Sequence, residues 1–185
     1  SCGKNKLDLF PLTEPSENTF YSNKEEVQAG LLEVYRQLSI IYDAEGVPDL
    51  FGEVYSDNTV IIAHAGSESA YAGIMARTIN ADNGLILTAW QKAYKGVFMC
   101  NKIIDQLDNL SIEIDKSEVD KMRGQALVIR SLIYFDLVRT FGAVPYIDKV
   151  ITPAEAYEFL RVDQGIIYEN IIKDLNLAKS ILPNS

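Results

Sequence analysis

The sequence predicts an all-α fold, a tetratricopeptide-like helical array of four main helices with long irregular loops. Four segments carry apolar residues at three- and four-residue spacing, and no segment alternates apolar and polar residues as a half-buried strand does. One of them, residues 117–141, is apolar on nearly every side, which is typical of a helix inside an array. Two successive helices start about 33 residues apart, the period of a helix-turn-helix repeat.

The first helix is predicted at residues 24–42, after an extended N-terminal arm over residues 1–21. Ser22 and Glu25 fit a capping box, in which the hydroxyl accepts a backbone N–H and the carboxylate reaches back to the start of the helix. The apolar spacing predicts the buried face of this helix. That face consists of Val27, Leu31, Val34, Leu38 and Ile41, with Tyr35 and Tyr42 beside it.

Residues 43–84 lose the helical period and are rich in Gly, Ser, Asp and Asn, which predicts a long ordered loop with a short helix at residues 49–55. Loops of this length inside a compact domain usually have a function. The second helix is predicted at residues 85–107. Its buried stripe is Trp90, Tyr94, Val97, Asn101, Ile104 and Leu107.

The third helix is predicted to begin at an N-cap formed by Ser117 and to end at Phe141, because Gly142 permits a positive φ and Pro145 prevents the helix from resuming. The loop that follows is predicted to contain one helical turn within residues 153–158. A fourth helix is predicted at residues 163–182. Its buried face is Ile167, Ile171, Leu175, Ala178 and Leu182.

The charge of the chain restricts its ligands. Its 185 residues suffice for one domain with a real core, and 17 Lys and Arg against 26 Asp and Glu give a net charge of -9. This surface repels nucleic acid and disfavours anionic ligands.

The two cysteines have different settings. Ser1, Cys2 and Gly3 are typical of the processing site of a bacterial lipoprotein, with Cys2 as the acylated residue. Cys100 lies among apolar residues and is predicted to be buried, so the pair forms neither a disulfide framework nor a zinc motif. No run of about 18 apolar residues is present, so the only membrane attachment predicted is the lipid anchor.

No catalytic, metal or cofactor site is predicted. His64 is the single histidine and lies in a Gly/Ala-rich segment, so a His-rich metal site or a Ser-His-Asp triad would have to be built around this one residue, which is interpreted as an exposed loop residue. Residues 66–70 lack the Gly-x-Ser-x-Gly spacing and the preceding strand of a nucleophile turn, and they are interpreted as a flexible loop. The carboxylates are spread over predicted helix faces and turns, which favours solvated acids over a glycosidase pair.

Many ordered segments resemble the N-terminal part of the SusD/RagB family, and together they extend over essentially the whole chain. Examples are Cys2 with Leu7-Asp8, Ala29-Gly30-Leu31, Ser56-Asp57-Asn58, Cys100-Asn101-Lys102, Gly124-Gln125-Ala126, Ile129-Arg130-Ser131, Phe141-Gly142, Val144-Pro145 and Asp174-Leu175. The chain departs from the family pattern at Gln125, where members usually have Glu, and at Ser131, where they usually have Ala.

The resemblance implies a non-enzymatic, surface-exposed glycan-binding lipoprotein of the outer membrane of a Bacteroidetes-type bacterium. It implies that an oligosaccharide or polysaccharide is captured and delivered to a TonB-dependent, SusC-like transporter. Residues 22–185 would form the N-terminal helical domain of a longer protein, because members run to several hundred residues. Two alternatives stay open, a tetratricopeptide-type protein adaptor without sugar binding and a hydrolase fragment.

Sugar binding needs an aromatic face for the pyranose ring and polar groups for its hydroxyls. The loop between the first two helices supplies both, although turn formation is the alternative role of its Asn and Asp residues. The candidate glycan contacts are Asp57, Asn58, Tyr71, Asn80, Asp82 and Asn83. Trp90 and Tyr94 are predicted to be core instead, and Arg130 is predicted to bind carbonyl groups or an acid inside the array.

Overall fold

The computed structural model describes residues 23–56, 68–80, 82–110 and 112–183, and it confirms the all-α fold. The helices are α1 (Lys24–Tyr42), a short π-helix (Asp49–Val54), α2 (Glu68–Met75), α3 (Gly84–Asp108), α4 (Lys116–Phe141), a 3-10 turn (Glu155–Glu158) and α5 (Gln164–Ile181). Two-residue strands, β1 (Val144–Pro145) and β2 (Arg161–Val162), pair antiparallel. This pair of short strands was not predicted from the sequence.

Helix α4 lies at the centre of the array and packs against α1, α3 and α5. Of its 26 residues, 12 are buried, as its apolar composition predicts. Its outward face differs from that prediction, because Val128, Leu132 and Phe135 keep between 37% and 44% of their surface exposed.

Gly96 allows three helices to converge. A Cβ at this position would lie 2.6 Å from Cδ1 of Ile41 in α1 and 2.8 Å from Cδ1 of Ile133 in α4. Such separations are inside van der Waals contact, so an alanine at this position would require both isoleucine side chains to shift.

The N-caps differ from those predicted for α1 and α4. The cap of α1 is Asn23, whose Oδ1 accepts from the backbone N–H of Glu26 at 2.9 Å, while Ser22 lies outside the described residues. The cap of α4 is Asp115, which accepts from the backbone N–H of Ser117 at 2.8 Å. Ser117 is therefore inside the helix, because the carboxylate two residues earlier already satisfies the free donors of the first turn.

Other helix ends agree more closely. Gly142 has a φ of 71°, a conformation that favours glycine, and its N–H donates to the Val138 carbonyl at the end of α4. The short helix predicted near residue 50 and the predicted turn before residue 159 are both present.

Helix α2 was not predicted from the sequence, because its segment lies in the part of the chain that was expected to be a loop. It has only eight residues, too few to establish a helical period, and Gly73 lowers its helical propensity. Tertiary packing stabilises it, because Ile74 is fully buried against the core.

A buried ion pair joins α4 to α5. Nε and Nη2 of Arg130 donate to the Asp174 carboxylate at 2.8 and 2.9 Å, and Nη1 donates to Asn101 Oδ1 at 2.7 Å and to the Asp148 carbonyl at 3.2 Å. The prediction that Arg130 binds an acid and carbonyl groups inside the array is therefore confirmed. The buried-face prediction for Leu175 is wrong, because Asp174 occupies the buried position and Leu175 is 41% exposed.

The same network fixes the chain after β1. The Asn101 amide donates to the carbonyls of Ile147 and Lys149 at 2.9 and 3.0 Å, and the backbone N–H of Ile147 donates to the Tyr134 hydroxyl at 2.7 Å. The backbone here has no regular secondary structure, so these buried side chains supply the partners that a helix or sheet would provide. None of the described helices has the length and apolar character required to cross a membrane.

Candidate functional site

The connection between α1 and α3 contains the π-helix and α2, which pack against each other. Leu50 and Val54 of the π-helix and Ile74 of α2 are buried, so the described part of this connection is an ordered extension of the core. This is the segment that the sequence analysis selected as the candidate ligand-binding loop.

Tyr71 lies half-buried on α2 and packs against the core. Burial raises the pKa of its hydroxyl above the ordinary value, and the negative charges of Glu45 and Asp49 raise it further. The backbone N–H of Glu45 donates to the Asp49 carboxylate at 2.9 Å, which holds this acidic corner in place. The hydroxyl also donates a hydrogen bond to the Glu45 side chain, which raises the pKa as well, so the proton of the phenol is retained and already engaged in this acidic corner.

The polar candidates fall into three groups. Asn80 and Asp82 are exposed and accessible to a ligand. Asn83 is committed to the fold, because its Oδ1 accepts from the Leu85 N–H at 3.0 Å and its Nδ2 donates to the Ala70 carbonyl at 2.9 Å. Four further sequence predictions lie outside the described residues, namely Asp57, Asn58, His64 and the lipidation residue Cys2.

Among the described residues of this connection, two non-glycine residues have positive φ, Glu45 at 63° and Arg77 at 59°. Arg77 closes α2 in a Schellman arrangement, with the Thr78 N–H donating to the Gly73 carbonyl and the Arg77 N–H to the Ile74 carbonyl. Glycine is usual at that position, and strained residues of this kind concentrate at functional sites. The Arg77 guanidinium lies over the Tyr55 ring, 5.5 Å from its centroid.

A cleft of about 440 Å³ opens where this connection meets the C-terminal end of α4. Its walls include Phe51, Tyr55, Ile79, Arg139 and Thr140. None of these residues was among the candidates from sequence, because the cleft forms from three segments far apart in the chain. The spacing of Phe51 and Tyr55 on the predicted short helix was the one sequence signal that pointed to it.

A row of aromatic rings supports the cleft from inside. Phe51 contacts Phe141 edge-to-face at 5.5 Å between ring centroids, and Phe141 contacts Trp90 in the same manner at 5.1 Å. Trp90 in turn contacts Tyr94 at 4.8 Å, and the Tyr94 hydroxyl donates to the Pro145 carbonyl at 2.7 Å. Trp90 and Tyr94 pack against the hydrophobic core, which confirms the prediction that these two residues are part of the core.

Within the described residues, no group of three or more His, Cys, Asp or Glu side chains is arranged to hold a metal ion. Asp105, Asp108, Glu113 and Asp115 are exposed, as solvated acids should be. Asp108 additionally forms an ion pair with Arg123 at 2.5 Å.

Comparison with known proteins gives a consistent result for sequence and structure. The sequence model of a SusD-like family, described as starch-binding and associating with the outer membrane, matches residues 12–185. SusD-like protein P2 of Formosa agariphila is 33% identical over 109 residues, which cover 58% of this chain and 21% of that protein.

Among solved structures, a laminarin-binding SusD-like protein has a TM-score of 0.76 and 27% identity, covering 88% of this chain and 35% of that chain. A SusD-like protein of Bacteroides fragilis has a TM-score of 0.75 and 25% identity, covering 96% of this chain and 33% of that chain. The chain thus spans between about a fifth and about a third of the length of these relatives. Since the family model matches nearly all of it, the chain belongs to the SusD-like family.

Proposed function

We propose that this chain is part of a non-enzymatic, cell-surface glycan-binding lipoprotein that captures oligosaccharide and delivers it to a TonB-dependent, SusC-like outer-membrane transporter. The family match over residues 12–185 is the observation that carries this proposal. The laminarin-binding relative, at 27% identity, supports binding of a glycan. Lipid attachment at Cys2 would keep the protein at the outer-membrane surface.

The proposed glycan contacts remain those of the first interhelical connection: Asp57, Asn58, Tyr71, Asn80, Asp82 and Asn83. Tyr71 offers its ring and its hydroxyl oxygen as an acceptor, because the hydroxyl proton is engaged with Glu45, and Asn80 and Asp82 offer exposed hydrogen-bonding groups. Asn83 can contribute the second amide hydrogen and the second lone pair of Oδ1, because the fold uses one of each.

A glycan array on the intact protein tests this function. We expect binding to a glycan, and we expect Tyr71→Phe, which keeps the packing of the ring, to weaken it about threefold to tenfold through loss of one hydrogen bond. Tyr157→Phe is the matched control, because Tyr157 is 91% exposed on the distant 3-10 turn. Failure of the intact protein to bind any glycan would refute the proposal.

The transporter partner requires a separate test. We expect a SusC-like barrel protein to copurify with the intact lipoprotein after mild detergent extraction. The exposed apolar face of α4, formed by Val128, Leu132 and Phe135, favours the alternative of a protein adaptor. Copurification of the barrel without affinity for any glycan would establish that alternative instead.

A further inference from the structure

The cleft beside Tyr55 has a hydrogen-bonding wall formed by Arg139. Nε and Nη2 of Arg139 both donate to Asp136 Oδ1, at 3.0 and 2.7 Å. Nη1 has no hydrogen-bond partner among the residues that the structure describes, and half of the Arg139 side chain is exposed. Arg139 lines the cleft, and its guanidinium lies over the Phe135 ring, 5.3 Å from the centroid. Asp136 and Phe135 therefore fix its orientation, while Nη1 keeps a donor available.

The charge of Arg139 is already balanced. Asp136 is only 2% exposed, and its second carboxylate oxygen accepts from the Tyr42 hydroxyl at 2.7 Å. The carboxylate thus has three charge-assisted hydrogen bonds and forms a neutral pair with the guanidinium. An anionic ligand would gain little net attraction here, whereas a hydroxyl group can accept from Nη1 without adding charge to the site.

The cleft also has an aromatic lining. Tyr55 is 36% exposed, Phe51 supports it with ring centroids 6.4 Å apart, and the Phe51–Phe141 contact ties both to the core. The Arg77 guanidinium covers one face of the Tyr55 ring, 5.5 Å from its centroid, so a sugar ring can stack only on the other face. Thr140 adds a hydroxyl and Ile79 an apolar edge. An apolar ring face and polar donors that line the same cleft are the groups that a pyranose requires, with its C–H face on the aromatic ring and its hydroxyls on the donors.

From this geometry we infer that the cleft binds one uncharged pyranose unit of the glycan, with Tyr55 as the stacking residue and Arg139 and Thr140 as the hydrogen-bonding residues. The inference rests on the proposed function and adds both a place and a sugar class to it. Uronic acids and sulfated sugars are disfavoured, because Arg139 is neutralised by Asp136 and the chain carries a net charge of -9.

Isothermal titration calorimetry on the intact protein tests the site. The probes are two neutral glycans, maltohexaose and laminarihexaose, and one anionic glycan, trigalacturonic acid. We expect one neutral probe to bind, and we expect Tyr55→Ala to weaken its binding about tenfold through loss of the stacking face.

Arg139→Lys is the second variant, because a lysine retains the charge opposite Asp136 but cannot reproduce the free Nη1 donor. We expect a loss of similar size, about tenfold. Tyr157→Ala is the matched control, since it removes an exposed tyrosine outside the cleft, and its affinity should equal that of the wild type. Far-ultraviolet circular dichroism verifies that each variant is folded.

The outcomes separate this inference from the proposed function. If a neutral probe binds and both cleft variants bind as tightly as the wild type, the cleft is not the site and only this inference is overturned. If trigalacturonic acid binds more tightly than both neutral probes, the sugar class is overturned although glycan binding stands. Absence of binding across a full glycan array would overturn the proposed function itself.

Discussion

Arg130 and Asp174 form a two-pronged ion pair in the interior of the helical array. The guanidinium Nε and Nη2 donate to the two carboxylate oxygens at 2.8 and 2.9 Å, and the side chains are 6% and 10% exposed. Because Nη1 also binds Asn101, a single arginine links three helices, α3, α4 and α5. Neither charge could be buried alone without a large desolvation cost.

Replacing Arg130 by Met should therefore destabilise the fold severely, because it leaves the Asp174 carboxylate buried without its partner. We expect the free energy of unfolding to fall by about 3–5 kcal/mol, measured by urea denaturation. The exposed Glu33–Arg36 pair provides the control, and Arg36→Met should change stability by less than about 1 kcal/mol. Equal effects of the two substitutions would contradict the assigned role of Arg130.

Gly96→Ala tests the convergence of α1, α3 and α4. The added Cβ would approach Ile41 and Ile133 within 3 Å, and we expect overpacking to cost about 1–3 kcal/mol despite the better helical propensity of alanine. Gly84→Ala, at the start of α3, has no neighbour within 4 Å and should leave the melting temperature unchanged or slightly raised. A Gly96→Ala protein as stable as the Gly84→Ala protein would contradict the expected overpacking and show that the Ile41 and Ile133 side chains move aside at little cost.

Cys100 should be chemically inert in the native state. Burial raises the pKa of its thiol from 9.0 to about 12, so the reactive thiolate is scarce at pH 8 as well as inaccessible. Iodoacetamide should modify Cys100 only after denaturation. Mass spectrometry of the peptide that contains Cys100 measures this modification. Modification of the native protein at the rate of a free cysteine would contradict this burial.

The same pKa shift predicts how stability depends on pH. Below pH 9 the thiol holds its proton in both the folded and the unfolded chain, so its contribution to stability is fully present. As pH rises from 9 towards 12 the unfolded chain releases this proton while the folded chain keeps it, and stability falls. Urea midpoints should therefore decrease over this range, and Cys100→Ala should decrease less steeply. If the urea midpoints of the wild type and of the Cys100→Ala protein decreased equally steeply with pH, this contribution of the Cys100 thiol would be contradicted.

Asn101→Ala should loosen the segment after β1. The substitution removes the two hydrogen bonds from the Asn101 amide to the Ile147 and Lys149 carbonyls. Trypsin should cleave after Lys149 several-fold faster, because proteolysis follows the population of locally open chain.

Asn109→Ala is the control for that experiment, since the Asn109 amide bonds Asp105 within the same helix end. Its cleavage pattern should match that of the wild type. Unchanged cleavage at Lys149 in the Asn101→Ala protein would show that the amide does not restrain this segment.

The sequence predicted the elements whose signals are local. The apolar period of α1 and the glycine at the end of α4 depend only on residues close together in the sequence. The boundaries of α1 were therefore predicted to the residue, and those of α4 to within one residue. The burial of Arg130 was also predictable, because a charged residue on a helix that is apolar on nearly every side must find a partner. Its partner Asp174 was not predictable, since the two residues are 44 positions apart.

The candidate cleft could not be predicted for a similar reason. Tyr55, Ile79 and Arg139 come together only after the π-helix, α2 and α4 have packed, and no local pattern predicts that these three residues meet. Polar residues in the interhelical loop suggested a binding region, but the sequence could not distinguish an exposed residue such as Asn80 from a helix cap such as Asn83. Capping and ligand binding use the same amide group, and only the position of its partners separates them.

The most direct test of this account is a crystal structure of the intact protein with a bound neutral hexasaccharide, maltohexaose or laminarihexaose. The account predicts one pyranose ring against Tyr55, with a hydroxyl oxygen within hydrogen-bonding distance of Arg139 Nη1. A glycan bound elsewhere, with the Tyr55–Arg139 cleft filled by protein, would contradict it.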